Sequence, residues 1–173
     1  GNNRWTSLRD AFRNCTRMDV TATDVPNLNG VSHFAYMFMN CTSLVYNPTI
    51  NTWRIDSIIL LLHVFRGAKA FNQPLDNWNT ENVTRMDGLF YGAEAFNQPI
   101  GGWNVEKVSR MDNMFHNAEA FDQDLSGWTL KNVTDAIDMF SAPLNKGMSC
   151  KNYSKTLQGW ANNPLTYKGL NFP

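Results

Sequence analysis

The groups in this 173-residue chain that could do acid–base, nucleophilic or metal chemistry are three histidines, three cysteines and fifteen carboxylates. A zinc site needs several nitrogen, sulfur or oxygen ligands converging on one point, and a general base needs a partner within hydrogen-bond reach. His33, His63 and His116 stand at unrelated intervals, and no cysteine pair has metal-ligand spacing. No Ser-His-Asp set, glycine-rich phosphate loop or recurrent carboxylate pair appears. These residues therefore predict no catalysis, no metal and no cofactor. Cys15 and Cys41 read as buried thiols, with a disulfide between them left open if the protein is exported; Cys150 has no evident partner. Trp53, Trp78, Trp103 and Trp128, evenly spaced along the chain, could form a platform for sugar rings or a buried stack. A rank of exposed indoles costs apolar area with no return in the free protein, so the core reading is preferred.

The tryptophan spacing belongs to a larger pattern. "VTRMDGLFYGAEAFNQPIGGWNVEK" from Val83 is followed by "VSRMDNMFHNAEAFDQDLSGWTLKN" from Val108. Phe65, Phe90, Phe115 and Phe140 keep the same period, and Phe38 and Phe12 extend it backwards with slips of one or two residues. Self-similarity at a period of about 20 to 50 residues marks stacked units that share one core.

Within a unit, Val83, Met86, Phe90 and Ala93 fall at helical spacing and predict about two turns of helix. Thr84 with Asp87, and Ser109 with Asp112, resemble capping boxes. Two residues after each phenylalanine stands Asn14, Asn40, Gly67, Gly92 or Asn117, residue types that tolerate a left-handed backbone and so read as helix C-caps. A short extended segment through Phe96, Ile100 and Trp103 is expected to pair with its neighbours in a parallel sheet, spaced about 4.8 Å apart. The expected fold is an α/β solenoid: a leucine-rich-repeat-like right-handed superhelix of short parallel strands and short helices, with about six turns. Residues 1–173 form a single repeat domain, with 5–142 as the repeats and 143–173 as a C-terminal cap. In that cap Tyr153, Leu157, Trp160 and Ala161 predict an amphipathic capping helix, and Leu170 and Phe172 a final strand. Gly1-Asn2-Asn3-Arg4 runs straight into repeat-like sequence at Trp5, which reads as an excerpt from a longer chain.

The pattern V-[TS]-x-M-x-x-[ML]-F-x-[GN]-A-x-x-F-[ND]-Q-x-[LI]-x-x-W resembles the repeat of the BspA-like leucine-rich-type family of bacterial surface proteins, common in mycoplasmas and Bacteroidetes. The likeness is tight over 58–140 and looser over 5–57, and Asn152 to Ala161 is similar to a closing segment often seen there. The resemblance implies an extracellular or cell-surface domain used for adhesion or protein binding, with no catalytic residues to carry over. Glycosylation sequons such as Asn82-Val83-Thr84 and Asn132-Val133-Thr134 read as by-products of the repeat and are expected to be unmodified.

Composition agrees with a binding role. Basic and acidic residues balance at 15 each, with no charge run, so the footprint of a nucleic-acid binder is missing. No window approaches the roughly 20 apolar residues of a membrane span. A monomer with a protein partner, from a host or another cell surface, is expected. The alternatives are a carbohydrate-binding surface domain and a structural spacer. Two columns, Asn72, Asn97, Asp122 and Gln73, Gln98, Gln123, divide between an inward ladder and an outward face. Asn72, Pro74, Asn97, Pro99, Asp122 and Asp124 are placed on the open, binding face. A second candidate is the third repeat, where Ile59, Leu60 and Leu62 replace Thr84, Arg85 and Asp87. With Met39 these would form an apolar contact patch, unless the insertion near Asn47 to Asn51 folds over it.

Overall fold

The computed structural model describes residues 5–18 and 20–166. Its local structure follows from where the backbone turns left-handed. Two residues after each phenylalanine, Asn14, Asn40, Gly67, Gly92 and Asn117 have φ between 56° and 66°. Two residues before it, Asp10, Tyr36, His63, Gly88, Asn113 and Asp138 have φ between 52° and 61°. A helix and a strand each need an unbroken run of negative φ, so neither passes through the phenylalanine. Overlapping tight turns form instead. Met37 N–H donates to Phe34 C=O at 2.9 Å, Met39 to Tyr36 at 3.2 Å and Cys41 to Phe38 at 3.1 Å. Positive φ at the third residue of Phe34–Met37 and Phe38–Cys41 is the type II signature.

These turns aim alternate peptide groups along the stacking direction. The N–H of Phe38 donates to Val64 C=O, that of Phe65 to Leu89, Phe90 to Met114 and Phe115 to Met139, each at 2.9 Å. Two residues later Asn40 donates to Arg66, Gly67 to Tyr91, Gly92 to His116 and Asn117 to Ser141, each at 2.7 Å. Every such peptide bonds its counterpart one repeat further on. The backbone is thereby satisfied as a sheet would satisfy it, without strand dihedrals.

The expected α/β solenoid is therefore not what the chain forms. Among the described residues there is one α-helix, one short 3₁₀ turn at Ile50–Thr52, and no strand or sheet. Only isolated parallel bridges link His33, Leu60, Arg85, Arg110 and Asp135. The leucine-rich-repeat assignment, the superhelix of strands and helices, and the count of six such turns all fall with it. Consecutive turns space buried side chains three or four apart much as a helix does, so Val83, Met86, Phe90 and Ala93 are buried as expected in a different backbone. The capping boxes dissolve for the same reason. Thr84 Oγ donates to Ile59 C=O at 3.3 Å and Ser109 Oγ to Thr84 C=O at 3.1 Å, both across repeats.

The units still lie in register over one core. Six phenylalanine rings, Phe12, Phe38, Phe65, Phe90, Phe115 and Phe140, stack with centroids 5.5–5.7 Å apart. Phe71, Phe96 and Phe121 form a second file at 6.0–6.1 Å. The tryptophans line the core's far side. Trp78 Nε1–H donates to Ile50 C=O, Trp103 to Leu75 and Trp128 to Ile100. Helix α1 (Cys150–Asn162) closes the C-terminal end, capped by Ser149, whose side chain accepts from Asn152 N–H. Trp160 is 2% exposed and stacks on Phe140 at 6.1 Å, while its indole donates to Leu125 C=O at 2.8 Å. It thus continues the tryptophan ladder from a helix. Tyr153 and Leu157 are half-buried and Ala161 is exposed. Leu170 and Phe172 lie outside the described residues.

Candidate functional site

Two lateral faces of the stack carry the candidate residues. On the first, the Asn and Gln columns act together rather than dividing inward and outward. Asn72 Oδ1 accepts from Asn97 N–H at 2.9 Å and from Gln98 Nε2 at 2.8 Å; Asn97 Oδ1 accepts in the same way from Asp122 N–H and Gln123 Nε2. One side-chain carbonyl thus receives both the backbone and the amide of the next repeat, so the ladder is internal to the protein. Asp122 ends it by accepting from Ser149 N–H, Ser149 Oγ and Asn152 Nδ2, which ties down the start of α1. Asp124 accepts from Ser126 N–H at 2.9 Å and pairs with Lys155 of α1 at 2.7 Å. The Lys155 ammonium and the Ser126 hydrogen bonds hold its carboxyl well down, to about 2.

This face offers solvent a mixture of polar and apolar groups. Asn72, Pro74 and Pro99 are exposed and Asn97 is half-buried. In register beside them, Val45 is 59% and Tyr46 55% exposed. Gln73 Nε2 donates to Val45 C=O at 2.7 Å, which places Val45 and Tyr46 one repeat before Asn72 and Gln73. Sequence reasoning missed this pair. The signal was there, because the lengthened step from Phe38 to Phe65 sets Val45 and Tyr46 in the Asn and Gln columns.

The second face follows the bridged file of His33, Leu60, Arg85, Arg110 and Asp135. Arg85 pairs with Asp87 at 2.9 Å; Arg110 reaches Asp87 at 3.3 Å, Asp112 and, at 3.2 Å, Asp135. Burial and the neighbouring Asp135 push the Asp112 carboxyl above its ordinary value. Leu60 and Leu62 extend this charged strip by one apolar repeat and are half-buried, while Ile59 is 43% exposed. The insertion does not cover Ile59, because Ile50–Thr52 packs on the tryptophan side. Met39, also half-buried, lies in the separate file of Arg66 and Tyr91, so the four do not form one compact cluster.

The remaining chemistry-bearing groups serve packing. His63 stacks on Tyr36 at 5.2 Å and His116 on Tyr91 at 4.6 Å, in different files. Burial, helped by nearby Arg66, lowers the His63 pKa from its ordinary value. All three cysteines are free. Cys15 is exposed, contrary to the buried reading; Cys41 is buried, donates to Phe12 C=O at 2.9 Å, and burial pushes its thiol up to about 11. Trp53, Trp78, Trp103 and Trp128 are 0–8% exposed, so the aromatic platform that suggested sugar binding is closed to solvent. No helix among the described residues is long and apolar enough to cross a membrane.

The family described as "Mycoplasma protein of unknown function, DUF285" matches residues 6–106 and again 32–160. No curated protein and no solved structure matches the chain.

Proposed function

Since the chain belongs to that Mycoplasma family, we propose that it is a non-catalytic module displayed at the cell surface, binding protein partners through the lateral face of Val45, Tyr46, Asn72, Pro74, Asn97 and Pro99. The observation that carries this reading is the exposure of Val45 and Tyr46 on a surface whose backbone is tied to the next repeat. Exposed valine and tyrosine bring no stability to the free chain, and a partner would gain their apolar area. The Asn–Gln ladder beneath holds the face in one shape, so little ordering cost attends association. The resemblance to BspA-like surface proteins supports both the location and the adhesive role. A Val45→Ser/Tyr46→Ser variant tests the reading. Immobilised wild-type chain is expected to retain host-cell surface or extracellular-matrix proteins at least tenfold above an inert protein, and the variant to lose most of that. Equal retention by both, or none by either, would overturn it.

A further inference from the structure

The first two repeats carry cysteine in a column that alanine fills afterwards. Cys15 and Cys41 stand three residues after Phe12 and Phe38, where the next three repeats have Ala68, Ala93 and Ala118. Those alanines are 0–1% exposed, so the column asks only for a small side chain. A thiol is more than packing requires, and it occurs in two consecutive repeats and in none of the others. Cys150, the third cysteine, belongs to α1 at the far end of the stack.

The bonds between repeats set these two cysteines side by side. One residue before them, Asn14 N–H donates to Met39 C=O at 2.8 Å and Asn40 Nδ2 donates to Asn14 Oδ1 at 2.9 Å. One residue after them, Thr42 Oγ donates to Thr16 C=O at 3.4 Å. Repeats bonded on both sides of a position hold its Cα atoms about 5 Å apart, inside the roughly 4.4–6.8 Å that a disulfide spans. The Cys41 side chain also leans the right way. Its Sγ–H donates to Phe12 C=O at 2.9 Å, the same carbonyl that accepts from Cys15 N–H at 3.1 Å. The Cys41 sulfur therefore lies beside the Cys15 backbone, where a rotation of the Cys15 side chain can meet it. The titration of Cys41 registers this closeness. Burial pushes its thiol up to about 11, the Cys15 N–H draws it back, and the Cys15 thiol adds to the rise.

We propose that Cys15 and Cys41 are a redox pair, joined by a disulfide when the protein meets a low-molecular-weight disulfide and opened again by excess thiol. One cysteine thiolate attacks a sulfur of the small disulfide and releases the first thiolate. The other cysteine then attacks the protein-bound sulfur and releases the second. Two protein thiols are oxidised to one S–S bond, the reagent is reduced to two thiols, and both protons pass to the leaving sulfurs. The bond staples the repeat that leads into Val45 and Tyr46 to the repeat before it. It is independent of what the lateral face binds. The whole chain carrying Cys150→Ser, equilibrated in glutathione buffers of graded composition and quenched with acid, tests it by mass spectrometry. The expected product is lighter than the dithiol by two hydrogen atoms, and digestion yields one peptide pair joined through Cys15 and Cys41. The ratio of disulfide to dithiol should be roughly tenfold higher or more in the folded chain than in the same buffer with urea, because the fold holds the sulfurs together. A smaller gain would overturn the proposal. So would glutathione retained on either cysteine as the end product, two thiols that stay free in fully oxidised buffer, or bonds formed between chains instead. Should Cys150→Ser fail to fold by circular dichroism, the wild-type chain mapped by the same digestion serves.

Discussion

Asp124 illustrates how a side chain that looked available for a partner is engaged at home. Its carboxylate pairs with Lys155 and accepts from Ser126 N–H, and it lies well below the ordinary carboxylate range in consequence. Because the folded value is depressed, the pair stabilises the protein above the unfolded value of roughly 4. That contribution is lost as pH falls from about 4 towards about 2. The pair is largely exposed, so its worth is under about 1 kcal/mol. Asp124→Asn is therefore expected to lower the melting temperature slightly at pH 7. At pH 2 the two melts should converge, and a gap that persists there would show the pair has no such role. Nothing in Asp124 alone foretold this, because Lys155 is distant in sequence and reaches it only through α1.

At the scale of the element, the decisive column is the left-handed one two residues after each phenylalanine. The alternation of Asn and Gly in that column was legible, and the reading of left-handed backbone holds at Asn14, Asn40, Gly67, Gly92 and Asn117. The helix attached to that reading does not. The second left-handed column holds Tyr36 and His63 as well as Gly88, and neither a tyrosine nor a histidine signals positive φ by type. Two such columns four residues apart leave no room for a helical turn. Gly92 offers a clean test. A Cβ there would find only Gly67 backbone, at 3.9 Å, so the cost of substitution is conformational. Gly92→Asn should change stability by less than about 1 kcal/mol, since Asn fills the same column elsewhere, whereas Gly92→Val should cost about 1–2 kcal/mol or more. Equal denaturation midpoints for the two variants would contradict the type II assignment.

Across the whole molecule, stability comes from files that no single repeat can bury. Phe90 is fully buried between Phe65 and Phe115, with Phe96 at 3.8 Å. Phe90→Ala should cost roughly 3–5 kcal/mol, and Phe140→Ala less, because Phe140 lies at the partly exposed end of the file. Equal losses in chemical denaturation would mean that the file is not the common core. The third-repeat patch and the Val45–Tyr46 pair sit on opposite footings in this respect. Ile59 and its neighbours were found because they break the repeat consensus, whereas Val45 and Tyr46 were overlooked because a two-residue insertion hides their column.

Which side chains are inside was written into the periodicity alone. A nearly constant repeat length places the recurrent Val, Met, Phe and Trp over their counterparts whatever path the backbone takes between them. The path itself was decided only in three dimensions. Side-chain spacing of three and four suits a helix and a run of tight turns equally well. The choice between them rests on whether each peptide bonds within its own repeat or to the next one, and that depends on a neighbour a whole repeat away. The same long-range bonding absorbs the Asn and Gln columns.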